Sequence, residues 1–383
     1  MLTDIPSISL YIHIPFCIQK CRYCDFYSEQ YATDIADEFV EALIVEWELV
    51  KEKYFLNDMP IATLYFGGGT PSILSEAQWK RVIAGFIRTL NLSKNYEWSI
   101  ECNPESFSEE IAALWLNFGV TRISIGVQSA NEKELTILGR KHTARRALEV
   151  LKGAAVSRFG SVGADLMYGI PGQTIQSLHA SLDAVLSCSN VRHLSAYELT
   201  IADLTPFGRR RANLNLPDED TVAAMTCLVK ETAAAKGFDQ YEVSNYARKG
   251  HRCRHNEAYW MHSAYIGLGP GAHSYMPPRR FSNTKNVYSY IAGLKNRMLP
   301  VDFEETIDTA ALAREIIFLR LRTAQGIHES DFRTMTGSNF ASGRRMPFVQ
   351  RFISRGMMEY SAPYWKLTDQ GLLFADAIAR DLL

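Results

Sequence analysis

Cys17, Cys21 and Cys24 stand in a C-x3-C-x2-C spacing within Tyr11-Ile-His-Ile-Pro-Phe-Cys17-Ile-Gln-Lys-Cys21-Arg-Tyr-Cys24-Asp-Phe26. The segment directly follows an apolar, strand-like stretch. Thiolates are the soft ligands that iron–sulfur clusters take. Four would close a [4Fe–4S] cubane. Three leave one iron open to a small chelating molecule, which can then accept an electron from the cluster. A structural zinc site and three buried free thiols are the other readings of the same residues. Zinc wants a fourth ligand, and His13, four residues before Cys17 on a strand, is a strained choice. The aromatic residues Tyr23 and Phe26 accompany the triad.

Further polar residues sit where apolar stretches end. Gly67-Gly68-Gly69-Thr70-Pro71 follows one such stretch, and glycines let backbone N–H and C=O groups approach a ligand closely. Glu101, in Ile-Glu101-Cys-Asn-Pro, ends the next stretch, where a carboxylate can accept hydrogen bonds. Gln128 ends another, in Ile-Gly-Val-Gln128-Ser, and Arg140 follows in Leu-Gly-Arg140-Lys-His. Asp165 lies within an apolar strand, where an ionisable group needs a partner or a role. Each alone could be a turn or a solvated strand end; their order along the chain argues for one site.

The elements that must position these residues alternate. Strands are expected at Ser9–Ile14, Thr63–Phe66, Trp98–Glu101, Arg122–Gly126, Ala164–Gly169 and His193–Leu199, from their short apolar and β-branched runs. Between them lie helical patterns at Ile35–Lys53, Glu76–Thr89, Glu109–Phe118, Ala144–Val156, Ile175–Leu186 and Asp218–Lys236. Strand–helix alternation implies a parallel sheet with crossover helices. Six such units fit a partial (β/α)6 barrel, whose sites lie at the C-terminal ends of the strands; the pattern alone leaves a doubly wound sheet open. This α/β unit is expected over residues 1–300, with an extension from about residue 240. Residues 301–383 read differently: helices at Ala310–Leu321, Asp331–Met335 and Phe348–Arg355, a hairpin of Met358–Ser361 and Tyr364–Lys366, and a last helix at Thr368–Leu382. That order suggests a small winged-helix-like domain.

Composition bounds the partners. The 383 residues carry 41 Lys and Arg against 42 Asp and Glu, a formal charge of −1, so no broad attraction to nucleic acid or anionic lipid is expected. The C-terminal domain therefore reads as a packing or lid domain. The N-terminal segment has no basic n-region with a long apolar stretch, and no run of about 18 apolar residues occurs, so a cytoplasmic protein without an integral membrane segment is expected. Seven cysteines, three of them clustered, suit metal binding in a reducing compartment. Cys102, Cys188 and Cys227 carry no motif and are expected to be buried apolar residues.

These motifs together resemble the radical SAM superfamily, and most closely its oxygen-independent coproporphyrinogen III oxidase-like family. The resemblance rests on Tyr11-Ile-His-Ile-Pro, the cysteine triad, Gly-Gly-Gly-Thr-Pro, Glu101-Cys-Asn-Pro, Ser-Ile-Gly-Val-Gln-Ser and Asp165-Leu-Met-Tyr-Gly-Ile-Pro-Gly. It implies that Cys17, Cys21 and Cys24 ligate a [4Fe–4S] cluster. It further implies that Tyr11, Phe26, Gly68, Gly69, Thr70, Glu101, Gln128, Arg140 and Asp165 surround the cluster and S-adenosylmethionine. Within that family the chain is more similar to the heme-chaperone branch, HemW, than to the oxidases. Phe26 stands where the oxidases carry a further cysteine, and only 16 residues precede Cys17 where the oxidases have a longer arm. His255-Asn256-Glu-Ala-Tyr259-Trp260 fits the H-N-x-x-Y-W motif of that branch.

The resemblance therefore implies heme as a further ligand. His255 is expected as the axial ligand and Tyr259 and Trp260 as stacking partners, with His251, Cys253, His262 and His273 nearby. Implied partners are a reductant protein and heme-requiring recipients such as membrane respiratory enzymes. The competing expectation is a working coproporphyrinogen oxidase that decarboxylates two propionates. A third is another radical reaction on heme.

Overall fold

The computed structural model describes residues 5–383; Met1–Asp4, the opening of the segment read for a leader, lie outside it. Six parallel strands form the centre of one sheet: β1 (Ile8–Ile14), β2 (Ile61–Gly68), β3 (Leu92–Cys102), β4 (Arg122–Gln128), β5 (Ser161–Tyr168) and β6 (His193–Glu198). They lie side by side in chain order without reversal, which is a winding barrel and not the doubly wound alternative. The crossover helices are α1 (Thr33–Tyr54), α2 (Glu76–Gly85), α3 (Glu109–Asn117), α4 (Glu132–Leu138), α5 (Ala144–Lys152) and α6 (Ile175–Leu186). A seventh helix, α7 (Glu219–Ala235), packs beside α6.

The strand period of two decides which residues face where. Leu10, Ile12 and Ile14 of β1, Leu64 and Phe66 of β2, Trp98 and Ile100 of β3, Ile123 and Ile125 of β4, and Leu194 of β6 are wholly or almost wholly buried against the helices. There they meet Phe39, Leu43 and Trp47 of α1, Trp79 of α2 and Trp115 of α3. Trimming any of these tryptophans to alanine is expected to cost roughly 3–5 kcal/mol. The alternate residues turn the other way. Tyr65, Glu101, Arg122, Ser124, Asp165, His193, Ser195 and Tyr197 line an interior cavity. The barrel is thus apolar outside its wall and polar within.

The chain after α7 does more than extend the barrel. Strands β7 (Asp239–Gln240) and β8 (Asn245–Ala247) continue the sheet antiparallel beyond β6. Helix α8 (Arg254–Trp260) leads into β9 (Tyr265–Leu268), which returns to the opposite edge and pairs parallel with β1. Strands β10 (His273–Met276), β11 (Arg279–Asn283) and β12 (Val301–Thr306) then add antiparallel, with α9 (Val287–Lys295) packed on α1. The seventh parallel strand was not expected, because four residues with a glycine among them carry too little pattern.

A second hydrophobic core, around Ile316, Phe332, Phe340, Val349 and Ile378, holds α10 (Thr309–Arg320), α11 (Glu329–Thr336), α12 (Met346–Ser354) and a three-stranded antiparallel sheet. Its strands are β13 (Ile327–His328), β14 (Met358–Ser361) and β15 (Tyr364–Leu367). The expected last helix is two, α13 (Asp369–Leu372) and α14 (Ala375–Leu382), parted at Leu373 and Phe374, where Phe374 leaves the helical conformation (φ −118°, ψ 21°).

Cys102 and Cys188 are buried as expected, but Cys227 is exposed. On α7 the buried positions are Met225, Val229 and Ala233, and Cys227, two residues from the first two, falls on the opposite face.

Candidate functional site

The cavity, about 440 Å³, opens between the cysteine loop and the C-terminal ends of β2 to β6. Cys17, Cys21, Cys24 and Phe26 form its rim with Gly68, Gly69 and Thr70; Glu101, Gln128, Arg140 and Asp165 line it further along. Twelve residues were expected around the cluster and S-adenosylmethionine, and eleven of them meet here. Tyr11 is the exception. It stands within the barrel wall, its hydroxyl bonded to His13 Nδ1 at 3.0 Å and its ring beside Tyr65.

The loop that carries the cysteines is held from both sides. The Gly69 N–H donates to the Ile14 carbonyl (2.8 Å) and that of Thr70 to the Phe16 carbonyl (2.7 Å). Arg22 donates its backbone N–H to Leu138 and accepts from Phe207. A run of hydrogen bonds then ties the first cysteine to the second. Thr70 Oγ1 donates to Cys17 Sγ (3.6 Å), and Asn103 Nδ2 to Thr70 Oγ1 (3.0 Å). Arg140 donates to Asn103 Oδ1 (2.5 Å) and, through its other nitrogen, to Cys21 Sγ (3.5 Å). Donors aimed at sulfur stabilise thiolate charge, which is what a cluster ligand carries. Burial raises the thiols of Cys17 and Cys24, the latter to about 11. The bare pocket therefore disfavours free thiolates and suits a cationic centre that neutralises them. Phe26 is 63% exposed at the rim. Tyr23 is enclosed beside Arg140.

His13 does not join the cysteines. Its Nε2 is bonded to the Tyr27 carbonyl at 2.8 Å and its Nδ1 to Tyr11, which removes the fourth ligand of the zinc reading. Among the described residues no three Cys, His, Asp or Glu side chains close on a single-ion site.

The glycine loop is shaped by necessity. Gly68 has φ +100°, and a Cβ there would meet the His13 ring at 2.4 Å. Its N–H donates to Glu101 Oε2 at 3.2 Å, and the Tyr65 hydroxyl donates to Glu101 Oε1 at 2.7 Å. Burial, opposed by the Tyr65 bond and reinforced by the nearby Asp165, pushes the Glu101 carboxyl up to about 7. Asp165 has the partners its position demanded: Ser124 donates to it at 3.0 Å, and Ser195 faces it from the next strand. Burial raises it to about 6, against the pull of both serines and Arg140. Gln128 ends β4 in a left-handed conformation (φ 64°) at a register shift, which turns its side chain into the cavity. Below this layer the chamber continues to Ser195 and Tyr197. Tyr197 is 40% accessible yet enclosed by protein, so it faces the chamber and not bulk solvent. These interior residues could have been found from the polar beat of period two within each strand.

The H-N-x-x-Y-W segment is α8, and it does not display its histidine. His255 is 1% exposed. Its Nδ1 bonds Thr63 Oγ1 at 2.7 Å, its Nε2 bonds the Tyr259 hydroxyl at 3.0 Å, and its ring stacks on Tyr65 at 4.9 Å. Burial lowers its pKa to about 3. Both ring nitrogens are committed inside the barrel wall, so in this structure His255 presents no open nitrogen to an iron. Tyr259 faces a second cavity between β9, β10 and α10, and Trp260 is half-buried at the end of α8. His251 and Cys253 flank the buried Arg122–Glu97 pair at the floor of the barrel, and His273 lies exposed on β10.

Comparison with known proteins agrees with this architecture. The Radical SAM superfamily model matches residues 11–185, and the HemN C-terminal domain matches residues 307–374. A heme chaperone HemW from Mycobacterium tuberculosis is 36% identical over 379 residues, which is 98% of this chain and 94% of that protein. The heme chaperone HemW of Escherichia coli is 32% identical over 380 residues and 98% of each chain. Coproporphyrinogen III oxidase (HemN) from Escherichia coli, a radical SAM enzyme, has the same fold. Its TM-score is 0.86 over 99% of this chain and 90% of that one, at 20% identity. No helix among the described residues is long and apolar enough to cross a membrane.

Proposed function

Because the chain belongs to the HemW heme-chaperone family within the radical SAM superfamily, we propose that it binds heme and passes it to heme-requiring proteins, and that its barrel holds a [4Fe–4S] cluster and S-adenosylmethionine. The observation that carries the cofactor part is the shared cavity: three cysteines, a glycine loop and two buried carboxyls on one lining, with Thr70 and Arg140 aimed at sulfur. When bound, the cluster and S-adenosylmethionine supply one-electron chemistry.

The chain's own residues then have separable tasks. Cys17, Cys21 and Cys24 ligate iron, and Arg140 and Thr70 stabilise the charge on sulfur. Gly68 and Gly69, whose N–H groups are held by Glu101 and Ile14, would leave the rim without side chains for the amino-acid end of S-adenosylmethionine. Glu101 accepts from ribose hydroxyls, with Tyr65 and the Gly68 N–H holding its oxygens in place. Gln128 and Asp165 close the far side, and Phe26 covers the rim against water. Tyr11 backs this lining from within the wall. A reductant protein would supply the electron, and recipients in the respiratory membrane would accept the heme from a cytoplasmic donor.

A specific observation favours a second reading. The cavity that holds the three cysteines continues past Glu101 and Asp165 to the polar residues Ser195 and Tyr197, which is the lining a porphyrinogen oxidase would need beyond its cofactor. One experiment separates the two. The anaerobically reconstituted chain is given reductant, S-adenosylmethionine and coproporphyrinogen III, and in parallel is loaded with heme and mixed with an apo-heme protein. Heme transfer without protoporphyrinogen supports the chaperone; multiple-turnover protoporphyrinogen formation overturns it.

A further inference from the structure

Charge is balanced over the whole chain, 41 Lys and Arg against 42 Asp and Glu, but not around the cysteine loop. Lys20 and Arg22, between the cysteines, are exposed, as is Lys141 beside Arg140. Lys20 and Lys141 stand on the cavity lining with Cys17, Cys21 and Cys24. Three more exposed cations, Arg209, Arg210 and Arg211, come from the short turn Gly208–Asn213, which buries none of its residues. Packing holds that turn beside the cysteines. Phe207, just before it, donates its N–H to the Arg22 carbonyl at 3.0 Å. Phe207, Leu138, Tyr23 and Leu214, the residue after the turn, share one small hydrophobic cluster. Tyr23 lies between Cys21 and Cys24, so the arginine turn and the cysteine loop are anchored on the same core.

The fold does not use these charges. Arg22 rests its guanidinium on the Thr136 and Ile137 carbonyls at the end of α4 (both 3.3 Å), which are not ionic partners. Among the described residues none of the six cations forms an ion pair. Against them stand the exposed carboxylates Asp25 and Asp203 in the same segments and Glu198 on the cavity lining. Three consecutive arginines repel one another, and an anionic partner would relieve that repulsion. Apolar side chains stand among the cations: Ile18 is 45%, Phe26 63% and Leu204 87% exposed. Exposed apolar groups with charge of one sign around them are the makings of a protein contact, an apolar centre with a charged rim.

We infer that this face is the docking surface for a small acidic protein that carries one electron at a time, seated against the cysteine loop with Arg209, Arg210 and Arg211 gripping its carboxylates. The inference rests on the [4Fe–4S] reading above. Electron exchange weakens steeply with distance, and Cys17, Cys21 and Cys24 are themselves partly exposed, so a carrier on this face is close to whatever they ligate. In the transfer one electron leaves the carrier, which is oxidised, and enters the cluster, which is reduced; no bond or proton moves. Electron-transfer encounters are small, under about 1,200 Å², so charge, not area, does the selecting. Complementary charge steers and orients such partners at a rate that salt suppresses. An anionic membrane or a nucleic acid would meet the same charges but would draw no advantage from their place beside the cysteines.

The test measures binding and electron transfer separately. The full-length reconstituted chain is titrated by calorimetry with oxidised flavodoxin, an acidic flavin protein, between about 20 and about 200 mM salt. Stopped-flow absorbance then follows reduction by flavodoxin hydroquinone. Photoreduced deazaflavin, a small molecule, is the reductant that needs no docking surface. Wild-type affinity should fall as salt rises. With Arg209→Glu, Arg210→Glu and Arg211→Glu combined, flavodoxin binding and reduction should weaken by about tenfold or more at low salt, while deazaflavin reduction and thermal stability stay as in the wild type. Lys94→Glu, Arg158→Glu and Lys249→Glu combined, exposed at the other end of the barrel strands, make the same change in net charge and should alter flavodoxin binding less than about twofold. No weakening by the arginine variants, or equal weakening by both sets, overturns the surface. So does tighter arginine-dependent binding of phosphatidylglycerol vesicles or of duplex DNA than of flavodoxin. A chain that deazaflavin reduces but that binds no flavodoxin overturns the surface and leaves the cofactor reading standing. A chain that takes up no cluster overturns both.

Discussion

Acidification should expose whether His255 is an interior residue. The imidazole is enclosed between Thr63, Tyr65 and Tyr259, and burial lowers its pKa from 6.5 to about 3. The unfolded chain would protonate near 6.5, so it takes up a proton that the folded chain refuses. A depressed pKa of this kind contributes stability above the unfolded value that is lost as pH falls through the window between the two. Between pH 7.5 and pH 5.0 nearly 1.5 pKa units of that window are crossed, and at about 1.4 kcal/mol per unit the loss is about 2 kcal/mol. Other groups titrate in the same range: buried His13 and His193 act in the same sense, while the raised Glu46, Glu101 and Asp165 act in the opposite one. The absolute pH slope therefore does not isolate His255, but a difference does. Urea unfolding of the wild type and of His255→Asn, each at both pH values, yields four free energies. The wild type should lose about 2 kcal/mol more than the variant on acidification, with m-values unchanged. The measurement is made without heme, so that a bound iron does not hold the neutral form. Equal pH slopes in the two proteins would refute the reasoning and return His255 to the surface as a free imidazole.

Other consequences follow from the cofactor cavity. Replacing Cys17, Cys21 or Cys24 by Ser should each abolish stable [4Fe–4S] reconstitution, read by visible absorbance and iron content, while Cys227→Ser should leave it intact. Gly68→Ala places a Cβ 2.4 Å from the His13 ring at φ +100°; a stability loss of about 1–3 kcal/mol with weaker S-adenosylmethionine binding is expected, measured by denaturation and calorimetry. Glu101, pushed up to about 7, is a carboxylate above that pH and a carboxylic acid below it. S-adenosylmethionine affinity should therefore fall from pH 8 to pH 6. In Glu101→Gln it should be about tenfold weaker at pH 8, and the pH dependence should disappear.

Much of this arrangement was legible along the chain because it depends on local rules. The C-x3-C-x2-C spacing marks soft-metal chemistry in any fold. Strand–helix alternation placed the six central strands and most helices, though not α4, α8 or α9, since apolar periodicity records which face of an element is buried. The positions of Glu101, Gln128 and Asp165 at or near strand ends followed from the same alternation. What pattern could not convey were relations set by distant partners. The seventh parallel strand, Tyr265–Leu268, exists because β1 offers an open edge, not because four residues insist on being extended. The bonds from Thr70 and Arg140 to cysteine sulfurs join residues up to 119 positions apart. Above all, a histidine's motif does not say which way its ring points. His255 reads as a ligand in sequence, yet burial against Thr63 and Tyr259 commits both its nitrogens. Local composition chooses the elements; tertiary packing chooses which nitrogens, thiols and carboxyls remain free to act.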